Sequence, residues 1–170
     1  MTPDVHRVVL SLGSNVGDRL DNLQRAVDTL FEAPGLRFVA LSPVYETTPV
    51  GGPEQPDYLN IVVLADSTVS PRALLERAQS IEESLHRLRE VRWGPRTLDI
   101  DIVSADGLTC DTPELTLPHP RAHERAFVLV PWSDVDADAS LPHGRITDLI
   151  PGVDHQGARR RDDLTLQPPT

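Results

Sequence analysis

Tyr58-Leu59-Asn60-Ile61-Val62-Val63-Leu64-Ala65 is the strongest strand signal in the chain, a short aliphatic and β-branched run with turn-forming residues on both sides. Downstream of it, Ser70 and Pro71 supply an N-cap and a first-turn proline, and Leu74, Leu75, Ala78, Ile81 and Leu85 then line one face of a helix running to about Arg87. Upstream lies a polar, Pro/Gly-rich loop from Glu46 to Asp57. Before that loop, Leu36 to Tyr45 reads as another strand, with Pro43 marking an edge or a bulge.

Further out, Arg7 to Leu12 is a buried strand stopped by Gly13-Ser14-Asn15. Arg19 to Glu32 carries Leu20, Leu23, Val27 and Leu30 at helical spacing behind a capping Asp18. Thr97 to Ser104 alternates acidic with aliphatic residues at a period of two, as a strand with two unlike faces does. Arg125 to Asp134 is read as a third helix. The order βαββαβ, followed by a late helix, predicts an α+β fold: an antiparallel or mixed ferredoxin-like sheet covered by helices in three layers, α-β-α. One domain is expected over 1–151. The remainder, 152–170, is polar and unpatterned and is expected to be a flexible C-terminal tail.

With 170 residues, 39% hydrophobic and 25% charged, the composition is that of an ordinary globular domain. Cys110 is the only cysteine, which excludes an internal disulfide and a cysteine-based zinc site and fits a cytoplasmic location. No run of roughly 18 apolar residues is present, so no membrane span is expected. A net charge of −10 argues against general binding to nucleic acid. All 16 basic residues are arginine. Without lysine, neither a Walker-A loop nor a protein-kinase site can be built, and any phosphate must be held by guanidinium forks. Six arginines, Arg72, Arg77, Arg87, Arg89, Arg92 and Arg96, precede the acidic strand in one stretch.

Side chains two apart on a strand share a face, so Asp99 and Asp101 project together while Leu98, Ile100 and Ile102 point into the core. Two carboxylates in one small volume repel unless a cation or a proton is shared, and hard oxygen ligands suit Mg²⁺. Arg92-Trp93-Gly94-Pro95-Arg96 sets guanidinium groups beside the pair, an arrangement that suits a magnesium-bound polyphosphate. His119 and His123 lie four apart, but Pro120 interrupts any helix between them and no third ligand is evident, so zinc is not expected.

The run Arg92-Trp93-Gly94-Pro95-Arg96-Thr97-Leu98-Asp99-Ile100-Asp101-Ile102 resembles the signature of the 6-hydroxymethyl-7,8-dihydropterin pyrophosphokinases of folate synthesis. The likeness continues through Gly13-Ser14-Asn15, Gln55-Pro56-Asp57-Tyr58-Leu59-Asn60, Leu117-Pro118-His119, Arg125 and Phe127, and covers about Val8 to Pro151. It implies transfer of the β,γ-pyrophosphoryl group of ATP to a reduced pterin, with two Mg²⁺ ions on Asp99 and Asp101. It further implies that Arg87, Arg92 and Arg96 serve catalysis, Arg87 and Arg89 belonging to a mobile loop. The resemblance places Gln79, Glu82, Arg89, Arg92, Ile102, His119 and Arg125 on the ATP side. On the pterin side it places Thr47, Thr48, Val50, Tyr58, Asn60, Trp93 and Phe127. A monomer with no nucleic-acid or membrane partner is expected. Pro120 departs from the aromatic residue some members carry there, and the loop from Arg87 to Trp93 is a residue shorter than in some members, with Glu90 where a basic residue can occur. A non-catalytic small-molecule-binding module of the same fold and a two-metal nuclease are the competing readings.

Overall fold

The computed structural model describes residues 4–49, 54–86, 97–153 and 157–169. Strand β1 (His6–Ser14) lies inside the sheet, as its run of buried residues from Val8 onward requires. It pairs antiparallel with β4 (Tyr58–Ser67) on one side and with β5 (Asp99–Ala105) on the other. The outer edge of β4 is shared by β2 (Leu36–Leu41) and β3 (Tyr45–Thr47). One strand was expected from Leu36 to Tyr45. It divides at Ser42-Pro43-Val44, where Pro43 has no N–H to donate and the Ser42 hydroxyl accepts the Val62 N–H at 2.8 Å. Every pairing among the described strands is antiparallel.

Alternation along the strands sorts two cores. Val8, Leu10 and Leu12 of β1, Leu59, Ile61 and Val63 of β4, and Ile100 and Ile102 of β5 face α1 (Arg19–Leu30) and α2 (Pro71–His86). Each of these helices begins as its sequence directs: Asp18 Oδ1 accepts the Asp21 N–H at 3.1 Å, and Ser70 Oγ accepts the Ala73 N–H at 3.1 Å. On the opposite face Val9, Val62, Leu64 and Val103 meet Leu129 and Trp132. The hairpin β6 (Cys110–Asp111) and β7 (Thr116–Leu117) leads through the cis Leu117–Pro118 peptide toward α3 (Ala126–Val135), which carries Leu129 and Trp132. The hairpin β8 (Ser140–Leu141) and β9 (Gly144–Arg145) and the short α4 (Ile146–Leu149) pack beside α3, completing the third layer. No helix among the described residues is long and apolar enough to cross a membrane.

Residues 157–169, expected as an unpatterned tail, instead lie against the sheet as a strap. β10 (Arg159–Arg160) pairs with β3 as Arg159↔Glu46 and Arg160↔Tyr45, giving the order β10-β3-β4-β1-β5. The Arg161 N–H donates to the Val44 carbonyl at 2.8 Å, and Gln167 exchanges hydrogen bonds with the Gln24 side chain of α1 at 2.8 and 3.0 Å. Leu166 is 8% exposed and enters the helix-side core with Leu164 packed beside it. The physical reason is an unmet edge: β3 would otherwise present unpaired main-chain groups, and two apolar side chains at alternate positions anchor the segment that covers them.

Candidate active site

The register of three strands builds the site. Gly13 of β1 stands between Asn60 of β4 and Asp99 of β5, and Tyr45 of β3 continues the row beyond Asn60. A Cβ at position 13 would lie 2.8 Å from Asn60 Oδ1 and 3.3 Å from Tyr58 Cδ1, so only glycine leaves this strip of main chain open. The next row sets the buried Ser11 opposite Asp101. With Ile100 and Ile102 committed to the helix-side core, Asp99 and Asp101 project onto the α3 side as their spacing predicts.

Asn60 is 4% exposed, and its Nδ2 donates to Thr47 Oγ1 at 2.6 Å. That bond fixes the amide so that Oδ1 faces the Gly13 floor. Tyr58 Oη lies 3.5 Å from Asp99 Oδ2. Arg125, at the N-cap of α3, places Nη1 3.5 Å from Asp101 Oδ2, with its guanidinium carbon 5.4 Å from the centroid of the Phe127 ring. Tyr58, Asn60, Asp99, Asp101, Arg125 and Phe127 are thereby brought to one face. Thr47 supports Asn60 from behind, while Thr48 is exposed at the end of β3.

Asp101 is 41% exposed, so its carboxylate can reach an external cation. Among the described residues no group of three or more His, Cys, Asp or Glu converges. Two carboxylates with the remaining positions left to water and phosphate oxygens form a donor set that fits Mg²⁺ better than zinc.

The outer edge of β5 holds the residues expected on the nucleotide side. The Ile100 N–H points away from β1 and donates to Glu82 Oε2 at 3.0 Å, so Glu82 satisfies a strand edge. Two residues on, the main chain of Ile102 faces the same way, whereas its side chain is 3% exposed in the core. Gln79 is exposed one turn earlier on α2. The His119 N–H donates to the Val103 carbonyl at 2.8 Å, and its Nδ1 accepts the Arg121 N–H at 3.2 Å, which leaves the proton of the neutral ring on Nε2. Burial lowers the His119 pKa below its ordinary value; Arg125 and Arg121 add to that, and Asp101 opposes it. Val50, Arg87, Arg89, Arg92, Trp93 and Arg96 lie outside the described residues.

Sequence reasoning did not single out Glu46. It is 8% exposed, and its carboxylate meets Arg19 at 2.6 Å, Arg159 at 2.7 Å and Arg161 at 3.1 Å. Burial alone would raise its pKa, but hydrogen bonds from Arg19 and Arg159 outweigh this and hold it below the ordinary carboxylate value. Tyr45 also went unnoticed. Its hydroxyl donates to Asp134 of α3, and burial followed by that carboxylate pushes its pKa up to about 12. No local pattern marks either residue, because their partners lie far away in sequence.

The chain matches the family described as 7,8-dihydro-6-hydroxymethylpterin-pyrophosphokinase (HPPK) over residues 9–137. The 2-amino-4-hydroxy-6-hydroxymethyldihydropteridine pyrophosphokinase of Mycobacterium leprae is 52% identical over 147 residues, 79% of this chain and 74% of that protein. The Pseudomonas aeruginosa protein of the same name is 39% identical over 157 residues, 92% and 97% of the two chains. A crystal structure of Plasmodium falciparum HPPK-DHPS, wild type with pteroate, superposes with a TM-score of 0.69 at 14% identity, covering 94% of this chain. This chain spans 46% of that longer one, and at such identity the likeness speaks for the fold alone. The family match and the two sequence relatives decide the rest: this chain is a pyrophosphokinase and belongs to the HPPK family.

Proposed function

We propose that this enzyme transfers the β,γ-pyrophosphoryl group of ATP to the hydroxymethyl oxygen of 6-hydroxymethyl-7,8-dihydropterin, a step of folate biosynthesis that releases AMP and depends on Mg²⁺. The observation that carries the reading is the Gly13 row: a fixed amide and a carboxylate face each other across a strip that bears no side chain. A flat heterocycle fits such a strip. Asn60 Oδ1, its amide nitrogen already committed to Thr47, would accept an N–H from the pterin edge. Tyr58 and Phe127 would wall the ring, with Thr48, Val50 and Trp93 at its rim.

In the reaction the pterin oxygen forms a bond to the β-phosphorus, the bond between that phosphorus and the α,β-bridging oxygen breaks, and AMP departs with the bridging oxygen. Asp99 and Asp101 would hold two Mg²⁺ ions, whose chemistry when bound is to neutralise and align the triphosphate. A carboxylate of the pair would also take the hydroxyl proton. Arg125 beside Asp101, with Arg92 and Arg96 nearby in sequence, would meet the phosphate oxygens, and Arg87 and Arg89 would close over them to exclude water. Glu82, Gln79, His119 and the outward main chain of Ile102 would receive the nucleoside along the edge of β5. The reading takes the protein to act as a cytoplasmic monomer.

The test is nucleotide product analysis with ATP, Mg²⁺ and the pterin, against a no-pterin control and Asp101→Ala. AMP that requires the pterin and falls by at least about 10³-fold in the variant is expected, since a charge-stabilising contact is lost. ADP would mean simple phosphoryl transfer. No nucleotide change by folded protein would leave a binding module.

A further inference from the structure

We propose that Arg159 is a positioning residue for the pterin side of the site, acting through a ring of charges on the opposite face of the β3–β4 pairing. The proposal rests on the functional reading above. Thr47 and Tyr58 pair directly across the two strands, and Tyr58 and Asn60 point to the α3 side. The residues just before them, Glu46 and Asp57, are held together from the other side. Arg159 Nη2 reaches Glu46 Oε1 at 2.7 Å and Asp57 Oδ2 at 3.1 Å. Arg19 Nη1 reaches Glu46 Oε2 at 2.6 Å and the Asp57 carbonyl at 3.0 Å.

Two guanidinium groups thus each span from Glu46 to Asp57, closing a ring that sets the spacing of β3 and β4 where Thr47 meets Tyr58. In front of the ring, Thr47 fixes the Asn60 amide at 2.6 Å. If β3 drifts, that hydrogen bond is the first to lengthen and Asn60 loses its aim across Gly13. The carboxylates Asp99 and Asp101, on the far side of β1, are untouched by such a drift. The effect is therefore selective for one substrate. Arg159 belongs to the C-terminal strap, so the device ties the last described segment of the chain to the pterin side of the site.

The experiment compares wild type, Arg159→Ala and Arg159→Lys in steady-state kinetics and in direct titrations with the pterin and with ATP, alongside melting temperatures. Loss of charge-assisted bonds that only aim Asn60 should raise the pterin KM and Kd about tenfold, leave the ATP values within about twofold and change kcat little. Arg159→Lys should recover part of the pterin affinity, because one ammonium can still bond one carboxylate. Equal weakening of both substrates, or a lower melting temperature with unchanged pterin affinity, would overturn the proposal. Should Arg159→Ala fail to fold, Asp57→Asn leaves the Arg159–Glu46 pair standing and should weaken pterin about threefold; an unchanged affinity there overturns it equally. Wild type that yields no pterin-dependent AMP defeats the functional reading. Normal wild-type turnover with an indifferent variant removes only the positioning role.

Discussion

Gly13 shows how much a single missing side chain decides. Its neighbour Asn60 is pinned by Thr47 and cannot swing aside, so a methyl group 2.8 Å from Oδ1 has to displace either the amide or the strand. Gly13→Ala should cost about 1–3 kcal/mol of stability, as overpacking does. It should also weaken pterin binding about tenfold with ATP binding within twofold, read by denaturant unfolding and by titration. Unchanged pterin affinity would place the ring elsewhere. From sequence, Gly13 reads as the start of a turn and as part of a motif shared with the family, but its role depends on the register of three strands that no local pattern encodes. Asp99 and Asp101 are legible for the opposite reason: a period of two is written into TLDIDIVS, and the face they share follows from it. The reach of Arg125 to Asp101 lies between these cases. The residue is visible, but its 3.5 Å approach is set by where α3 docks.

Among the elements, long periodic ones are legible and short ones are not. α1, α2, β1 and β4 follow from repeated apolar spacing and from caps at Asp18 and Ser70. The expected strand from Leu36 to Tyr45 is two strands because hydrogen bonding through Ser42 takes the place of a ladder at Pro43. The strap escapes a sequence reading because β10 is only two residues long and its anchors, Leu164 and Leu166, sit among charged and polar neighbours. Those anchors give the strap a measurable weight. Leu166→Ala removes a side chain that is 8% exposed and should lower unfolding stability by about 2 kcal/mol, the low end for buried leucine, seen as a lower urea midpoint. An unshifted midpoint would mean that the strap does not contribute to global stability.

For the whole molecule, the charges set a pH window. Glu46 and Asp66 are both held below their ordinary values, 4.5 and 3.8: Glu46 by arginines that overcome its burial, Asp66 by Arg7 and Arg37. A carboxylate depressed in the folded state contributes stability above its unfolded pKa and loses it as pH falls through the folded one. Tyr45 has the opposite sign. Its pKa is raised from 10.0 to about 12, so its contribution is complete below 10 and is lost as pH climbs toward 12. His119, also held below its ordinary value of 6.5 by burial, begins to take stability away as pH falls below that value, so stability should be flat only from about pH 7 to pH 9 and fall on both flanks, followed by urea midpoints across pH. Tyr45→Phe should flatten the alkaline flank alone. The Gly13 floor has its own standing at this scale. It is main chain of β1, paired with β4 on one side and with β5 on the other, so two strand ladders hold it where side-chain packing does not. The surface on which the pterin is proposed to rest is thus a floor tied at both edges, and whatever motion turnover requires falls to its walls and rim.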